Sequence, residues 1–191
     1  MARLFGHGAA CPCCPPGGEA VLPRRGFIAA AVGLFAASPA LAQSGVRRLS
    51  VRRQVTEDSF SGVYFRDGRY DREALRRLDF VFRDLSAAET TPMDPRLFDV
   101  MAEVARQLDA DEPFQVISGY RSPETNAARA TQSRRVSRVS LHMSGMAADC
   151  RLPGRQGLGL ARVASELQLG GVGLYTRDGF VHLDCGPVRR W

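Results

Sequence analysis

The chain has 191 residues, of which 45% are hydrophobic and 24% charged, and its formal net charge is +6. That is enough for one ordinary domain. Every basic side chain that could pair with a polyanion is arginine, yet no aromatic-interleaved basic patch accompanies them, which argues against a nucleic-acid partner.

At the N-terminus, Arg24-Arg25 precedes a short apolar run from Ile28 to Phe35, and Ser38-Pro39-Ala40-Leu41-Ala42 offers small residues at −3 and −1 of a cut after Ala42. Charged region, apolar core and small-residue site together predict a secretory signal over residues 1–42, with a mature domain over 43–191. The adjacent arginines point to the Tat route and hence to the periplasm. The apolar run is too short to span a bilayer, and no later segment reaches the roughly 20 apolar residues a span needs. Removing Arg3, Arg24, Arg25 and Glu19 leaves a mature charge of +4, which suits an anionic polymer as partner. Cys11, Cys13 and Cys14 fall in the removed part, and no second Cys or His pair follows at zinc-finger spacing.

Val46 to Val55 alternates loosely and predicts a strand. Ser59 to Tyr70 predicts a hairpin turning at Arg66-Asp67-Gly68. Asp71 is an N-cap for a helix carrying Leu75, Leu78, Phe82 and Leu85 at helical spacing. Asp94-Pro95 opens a second helix, with Leu97, Val100, Met101, Val104 and Leu108 on one face and Pro113 as its stop. Phe114 to Ile117 is a short strand leading into Ser118-Gly119-Tyr120-Arg121-Ser122. Ser122-Pro123-Glu124 starts a third helical piece, followed by a polar, arginine-rich loop from Thr131 to Val139. Met146 to Leu152 reads as a strand and Leu158 to Leu169 as a helix. Gly170 to Tyr175 and Gly179 to Asp184 form a last hairpin. Strands mixed with helices, without regular βαβ alternation, predict an α+β fold.

The mature chain holds two histidines, His142 and His182, each near a carboxylate: Ser140-Leu-His142-Met-Ser-Gly145-Met-Ala-Ala-Asp149 and Phe180-Val-His182-Leu-Asp184. A catalytic zinc site needs three protein ligands and one open position. His142, Asp149 and His182 supply that number. Gly145 lets the backbone turn tightly between them. His182 and Asp184, two apart on a strand, share a face, so Asp184 is either a general base or a partner that orients His182. Arg121, on the loop after a strand, suits an oxyanion or a substrate carboxylate. Tyr120 and Tyr175 read as core residues with hydroxyls that could reach the site. Cys150 and Cys185 each follow a site carboxylate, so strand alternation points them away from the site, as a disulfide or as two buried thiols.

Ser118-Gly-Tyr-Arg-Ser122, Ser140-x-His-x-x-Gly-x-Ala-x-Asp149, and Gly170-Gly-Val-Gly-x-Tyr175 leading to Phe180-Val-His-x-Asp184-x-Gly-Pro187 resemble the D-alanyl-D-alanine carboxypeptidase-like zinc peptidases, most nearly the murein endopeptidase K type. The resemblance runs over nearly all of the mature chain. It implies the fold shared by hedgehog signalling domains and D-Ala-D-Ala metallopeptidases, a small antiparallel sheet with helices packed on one side. It implies one Zn2+ per chain on His142, Asp149 and His182, with Arg121 polarising the substrate. It further suggests hydrolysis of cross-links between peptidoglycan peptide stems, either D-Ala to meso-diaminopimelate or the L,D bond between two diaminopimelates. Separately, a monomer is expected. Several relatives place a carboxylate three residues before the last histidine; here that position is Gly179, which leaves the base to Asp184 or Asp178. A carboxypeptidase or dipeptidase of the same fold, or a non-catalytic peptidoglycan-binding module, are the alternatives.

Overall fold

The computed structural model describes residues 45–133 and 136–191. The leader expected over residues 1–42, with Arg24-Arg25 and the three early cysteines, lies outside the described residues, as do Arg134 and Arg135 of the arginine-rich loop.

The elements follow the polarity pattern of the chain. Strand β1 (Val46–Arg52) pairs antiparallel with β2 (Ser59–Arg66), which turns through Asp67-Gly68 into β3 (Arg69–Tyr70). Helix α1 (Arg72–Phe82) starts where the Asp71 carboxylate accepts the N–H groups of Glu73 and Ala74. Helix α2 (Pro95–Gln107) is capped by Asp94, with Pro95 at its first position, where no N–H is needed. It ends before Pro113, because Asp109 takes a left-handed conformation and Ala110 N–H closes back on the Ala105 carbonyl. Strand β4 (Phe114–Ser118) and helix α3 (Pro123–Gln132) follow, then strand β5 (Ala147–Arg151), helix α4 (Gly157–Leu167), and strands β6 (Gly171–Tyr175), β7 (Phe180–Asp184) and β8 (Arg189–Arg190).

The eight strands form one sheet in the order β3-β2-β1-β4-β5-β7-β6-β8. The fold is α+β, but the expected small antiparallel sheet is larger and mixed: β1 runs parallel to β4, and β6 parallel to β8. Between β1 and β4 the chain passes through β2, β3, α1 and α2, and it re-enters the sheet in its starting direction. β8 reaches the far edge of β6 after the β6–β7 hairpin has closed. Periodicity within each strand carries no information about these non-local pairings.

Helices α1, α2 and α4 cover one face of the sheet. The core between them holds Tyr64, Leu78, Phe82, Phe98, Met101, Phe114, Leu160 and Leu183, all essentially inaccessible to solvent. Burying apolar surface at roughly 25 cal/mol per Å² drives this packing. Helix α3 departs from the expected one-sided arrangement. Its single buried side chain is the polar Asn126, and Arg129 lies on the wall of a cleft on the other side of the sheet. Among the described residues, no helix is long and apolar enough to cross a membrane.

Strand alternation assigns the two faces. On β5 and β7, Ala148, Cys150, Val181 and Leu183 join the core. Asp149 faces His182 directly across the pair, and Ala147 faces Asp184. Cys150 and Cys185 are both free and buried, so the disulfide alternative gives way to two separate thiols. Cys150 points into the core, whereas the Cys185 Sγ lies 3.6 Å from the Met146 carbonyl. Burial pushes the Cys150 thiol far up and that of Cys185 up to about 11, which leaves both protonated and unreactive at neutral pH.

Candidate metal centre

The site lies on the open face of the sheet, where β4, β5 and β7 run side by side. A bulge in β4 sets one edge: Val116 pairs with Cys150 and Ser118 with Asp149, so Ile117 is the extra residue. The bulge turns Ser118 onto the side of Asp149 and sends the chain into the Gly119–Ser122 loop.

That loop is fixed from below by the end of α1. Tyr120 N–H donates to the Phe82 carbonyl at 2.7 Å, and Ser122 N–H donates to the buried Asp84 carboxylate at 2.8 Å. Asp84 also accepts from the Ser86 and Ala87 N–H groups. Gly119 sits so close to α1 that a Cβ there would lie 2.3 Å from the Phe82 carbonyl oxygen. Asp84 had no signal in the sequence, because its partner is 38 positions away.

His142 lies on a single 3-10 turn (Leu141–Ser144). Gly145 closes that turn at φ +66°, and a Cβ on it would sit 2.9 Å from the Pro92 carbonyl. Two bonds lace the turn to the loop: Arg121 N–H donates to the His142 carbonyl at 3.2 Å, and the His142 Nδ1–H donates to the Gly119 carbonyl at 2.7 Å. His182 is held in the same manner from the other side. Its Nε2–H faces Asp184 Oδ2 at 3.1 Å.

These contacts select tautomers that leave His142 Nε2 and His182 Nδ1 as lone pairs aimed into one space. The two nitrogens are 3.3 Å apart, and Asp149 Oδ1 lies 3.3 Å from the first and 2.9 Å from the second. Three such atoms, two ring nitrogens and a carboxylate oxygen, repel one another unless a proton or a metal cation stands between them. Ligand bonds of about 2.0–2.2 Å in a tetrahedron separate ligand atoms by about 3.4 Å, near the spacing observed. The donor set, two imidazoles and one carboxylate, suits zinc, and three protein ligands leave a fourth position open to the cleft. Among the described residues, this is the one group of three His, Cys, Asp or Glu side chains that converges so.

The charges answer the geometry. Burial would raise the Asp149 carboxyl, but His142 and His182 hold it far below the usual range. Burial opposes protonation of His182, while Asp149 and Asp184 outweigh it and raise its pKa. Asp184 is fully buried. Burial would raise its carboxyl too, but His182 and the Gly171 and Gly186 N–H groups hold it at about 2. Arg189 adds a further donor at 2.8 Å to the oxygen that faces His182. Asp184 therefore stands behind His182 with both oxygens engaged. Arg121 is buried at the opposite edge, with Nη2 3.6 Å from Asp149 Oδ2 and Nη1 donating to Asn126.

A cleft of about 360 Å³ opens over the trio, lined by Arg121, His142, Asp149, His182, Asp178 and Trp191 among others. A hollow of similar size between β1 and α2, about 380 Å³, contains no such convergence. Tyr120 is buried with its hydroxyl toward Glu89, as a core residue. Tyr175, also expected in the core, is half-buried on the cleft wall, where its hydroxyl accepts from the Trp191 indole N–H. Arg189 and Trp191 had only their place beside the final motif to recommend them.

Residues 41–191 match the family model described as Peptidoglycan L,D-endopeptidase MepK. Over 175 residues the chain is 36% identical to the Peptidoglycan L,D-endopeptidase MepK of Escherichia coli K12, covering 91% of this chain and 90% of that protein. The protein of the same name from Shigella flexneri matches to the same extent. A Probable peptidoglycan L,D-endopeptidase MepK of Haemophilus influenzae is 36% identical over 146 residues, 76% of this chain and 78% of that one. No solved structure matches significantly.

Proposed function

This chain belongs to the peptidoglycan L,D-endopeptidase MepK family, and from that membership we propose that it is a zinc metallopeptidase that hydrolyses L,D cross-links between peptide stems of peptidoglycan. The convergence of His142 Nε2, Asp149 Oδ1 and His182 Nδ1 on one space open to a cleft carries this reading. Zinc held by His142, Asp149 and His182 would supply Lewis acidity and make water more acidic there.

The protein's own groups divide the remaining work. His142 and His182 keep their lone pairs on the site because the Gly119 carbonyl and the Asp184 carboxylate accept from their other ring N–H groups. Arg121 fixes the outer oxygen of Asp149 and, lining the cleft, stabilises negative charge that develops on the scissile carbonyl oxygen. Asp184 acts through His182, since its oxygens are already engaged by His182, Gly171, Gly186 and Arg189. Asp178, which also lines the cleft, is the alternative carboxylate to take a proton from the attacking water.

The test is mass spectrometry of intact sacculi after incubation with the zinc-loaded chain. Dimeric muropeptides should fall to monomers, and a chelator should stop the loss. Dimers that persist would sink the endopeptidase reading, and stems trimmed without loss of dimers would replace it with a carboxypeptidase. The same proposal has the chain exported to the periplasm by the Tat route and working as a monomer. Recovered protein should begin at Gln43.

A further inference from the structure

Strand β8 brings an aromatic ring to the rim of the site. Its parallel pairing with β6 continues one residue beyond the strand: Trp191 N–H donates to the Val172 carbonyl at 3.1 Å, and Leu174 N–H donates to the Trp191 carbonyl at 3.0 Å. The indole then lies over β6 and beside His182, with ring centroids 5.3 Å apart and a tilt of 49°.

Three contacts fix its pose. The indole N–H donates to the Tyr175 hydroxyl at 3.0 Å. The Arg189 guanidinium stands 5.1 Å from the ring centroid. Beneath the ring is Gly173, where a Cβ would lie 2.5 Å from an indole carbon, so any larger residue would lift the ring off the sheet. Tyr175 is braced in turn by a parallel stack on Phe180 at 4.6 Å. Despite these anchors, Trp191 remains 51% exposed, and it lines the same cleft as the trio. The cleft also carries Arg121, Arg129 and Ser137 alongside Val136, Val139 and Leu141.

We propose that Trp191 is a substrate-contact residue: its fixed, half-exposed face receives the aliphatic part of the peptide residue next to the scissile amide. The substrate class rests on the hydrolase reading above; the platform itself does not. A rigid indole gains apolar contact with methyl and methylene groups while losing little freedom of its own, since it is already held. The contact is the same before and during bond cleavage, so it acts on binding rather than on the chemical step.

Trp191 is the only tryptophan in the chain, so emission excited at the red edge of the indole band, beyond tyrosine absorption, reports on this ring alone. Titrating the zinc-free wild-type chain with a cross-linked dimeric muropeptide should give a saturable change in emission. In the zinc-loaded chain, Trp191→Ala should raise KM roughly five- to tenfold, leave kcat within about threefold and leave zinc affinity within about twofold. Trp191→Phe should recover most of the KM. A wild-type emission unmoved by muropeptide would overturn the proposal. So would a Trp191→Ala KM within twofold of wild type, or a loss of zinc affinity that accounts for the whole defect, which would make the ring a mere support for His182. If the wild-type chain binds muropeptide with an emission change yet cuts nothing, the hydrolase reading fails and the platform stands.

Discussion

Replacing Asp184 with asparagine isolates what that carboxylate does. Its Oδ1 accepts from Gly171 N–H at 3.0 Å and Gly186 N–H at 2.8 Å, and its Oδ2 accepts from Arg189 and from His182 Nε2–H. An amide has one oxygen for these two sets of donors. With the oxygen toward the glycines, its NH2 faces Arg189 and His182, and His182 must move its proton to Nδ1, the atom that faces Asp149. With the oxygen toward His182, the NH2 opposes two buried backbone N–H groups. Either arrangement costs about 1–3 kcal/mol for an unsatisfied buried donor. Outer partners of metal-bound histidines are worth roughly 10- to 100-fold in metal affinity or activity. We expect Asp184→Asn to weaken zinc binding by that factor, read by competition with a chromophoric chelator at pH 7.5, with kcat recovering at saturating zinc to within about tenfold. Asp178→Asn is the contrasting variant, with kcat reduced and zinc affinity kept. If Asp184→Asn binds zinc within twofold of wild type but loses kcat, then Asp184 works on the reacting water and the positioning role is wrong.

Two further expectations concern pH and packing. In the zinc-free chain, the raised His182 contributes stability that is fully present below its ordinary 6.5 and lost as pH rises through its folded value, while Asp184, lowered from 3.8 to about 2, contributes stability present above 3.8 and lost as pH falls toward 2. Thermal unfolding with chelator should therefore show these groups favouring the fold most between about pH 4 and 6.5, whereas the extra stability conferred by zinc should grow from pH 5 to 7.5 as the metal displaces the imidazole proton. A zinc-induced rise in Tm that is flat across that range would contradict histidine ligation. Gly119→Ala forces a Cβ to within 2.3 Å of the Phe82 carbonyl oxygen, a backbone atom that cannot rotate away. Relief requires the loop to lift, which breaks the Tyr120–Phe82 bond and withdraws the Gly119 carbonyl from His142. Overpacking of this kind costs about 1–3 kcal/mol, or roughly 2–10 °C in Tm for a domain of this size, with weaker zinc binding alongside. An unchanged Tm would show that the close approach is not limiting.

Local sequence determined much of this protein. Asp71 and Asp94 announced their helices because a short acceptor before an apolar stripe satisfies N–H groups within its own turn. His182 and Asp184 were legible as partners because a strand's two-residue period fixes which side chains share a face. The pairing of the histidines with Asp149 was readable as chemistry, since few residue types and one spacing suit a three-ligand cation site. Other features depended on distance in the chain. The mixed sheet, the bulge at Ile117, the grip of Asp84 on Ser122 and the approach of Trp191 to His182 each join segments that local periodicity treats as independent. The neighbours of Asp184 likewise emerged only in the fold, where Gly171, Gly186 and Arg189 meet its oxygens. Residue type and spacing specify what a group can do, and the tertiary packing specifies which neighbours have already claimed it.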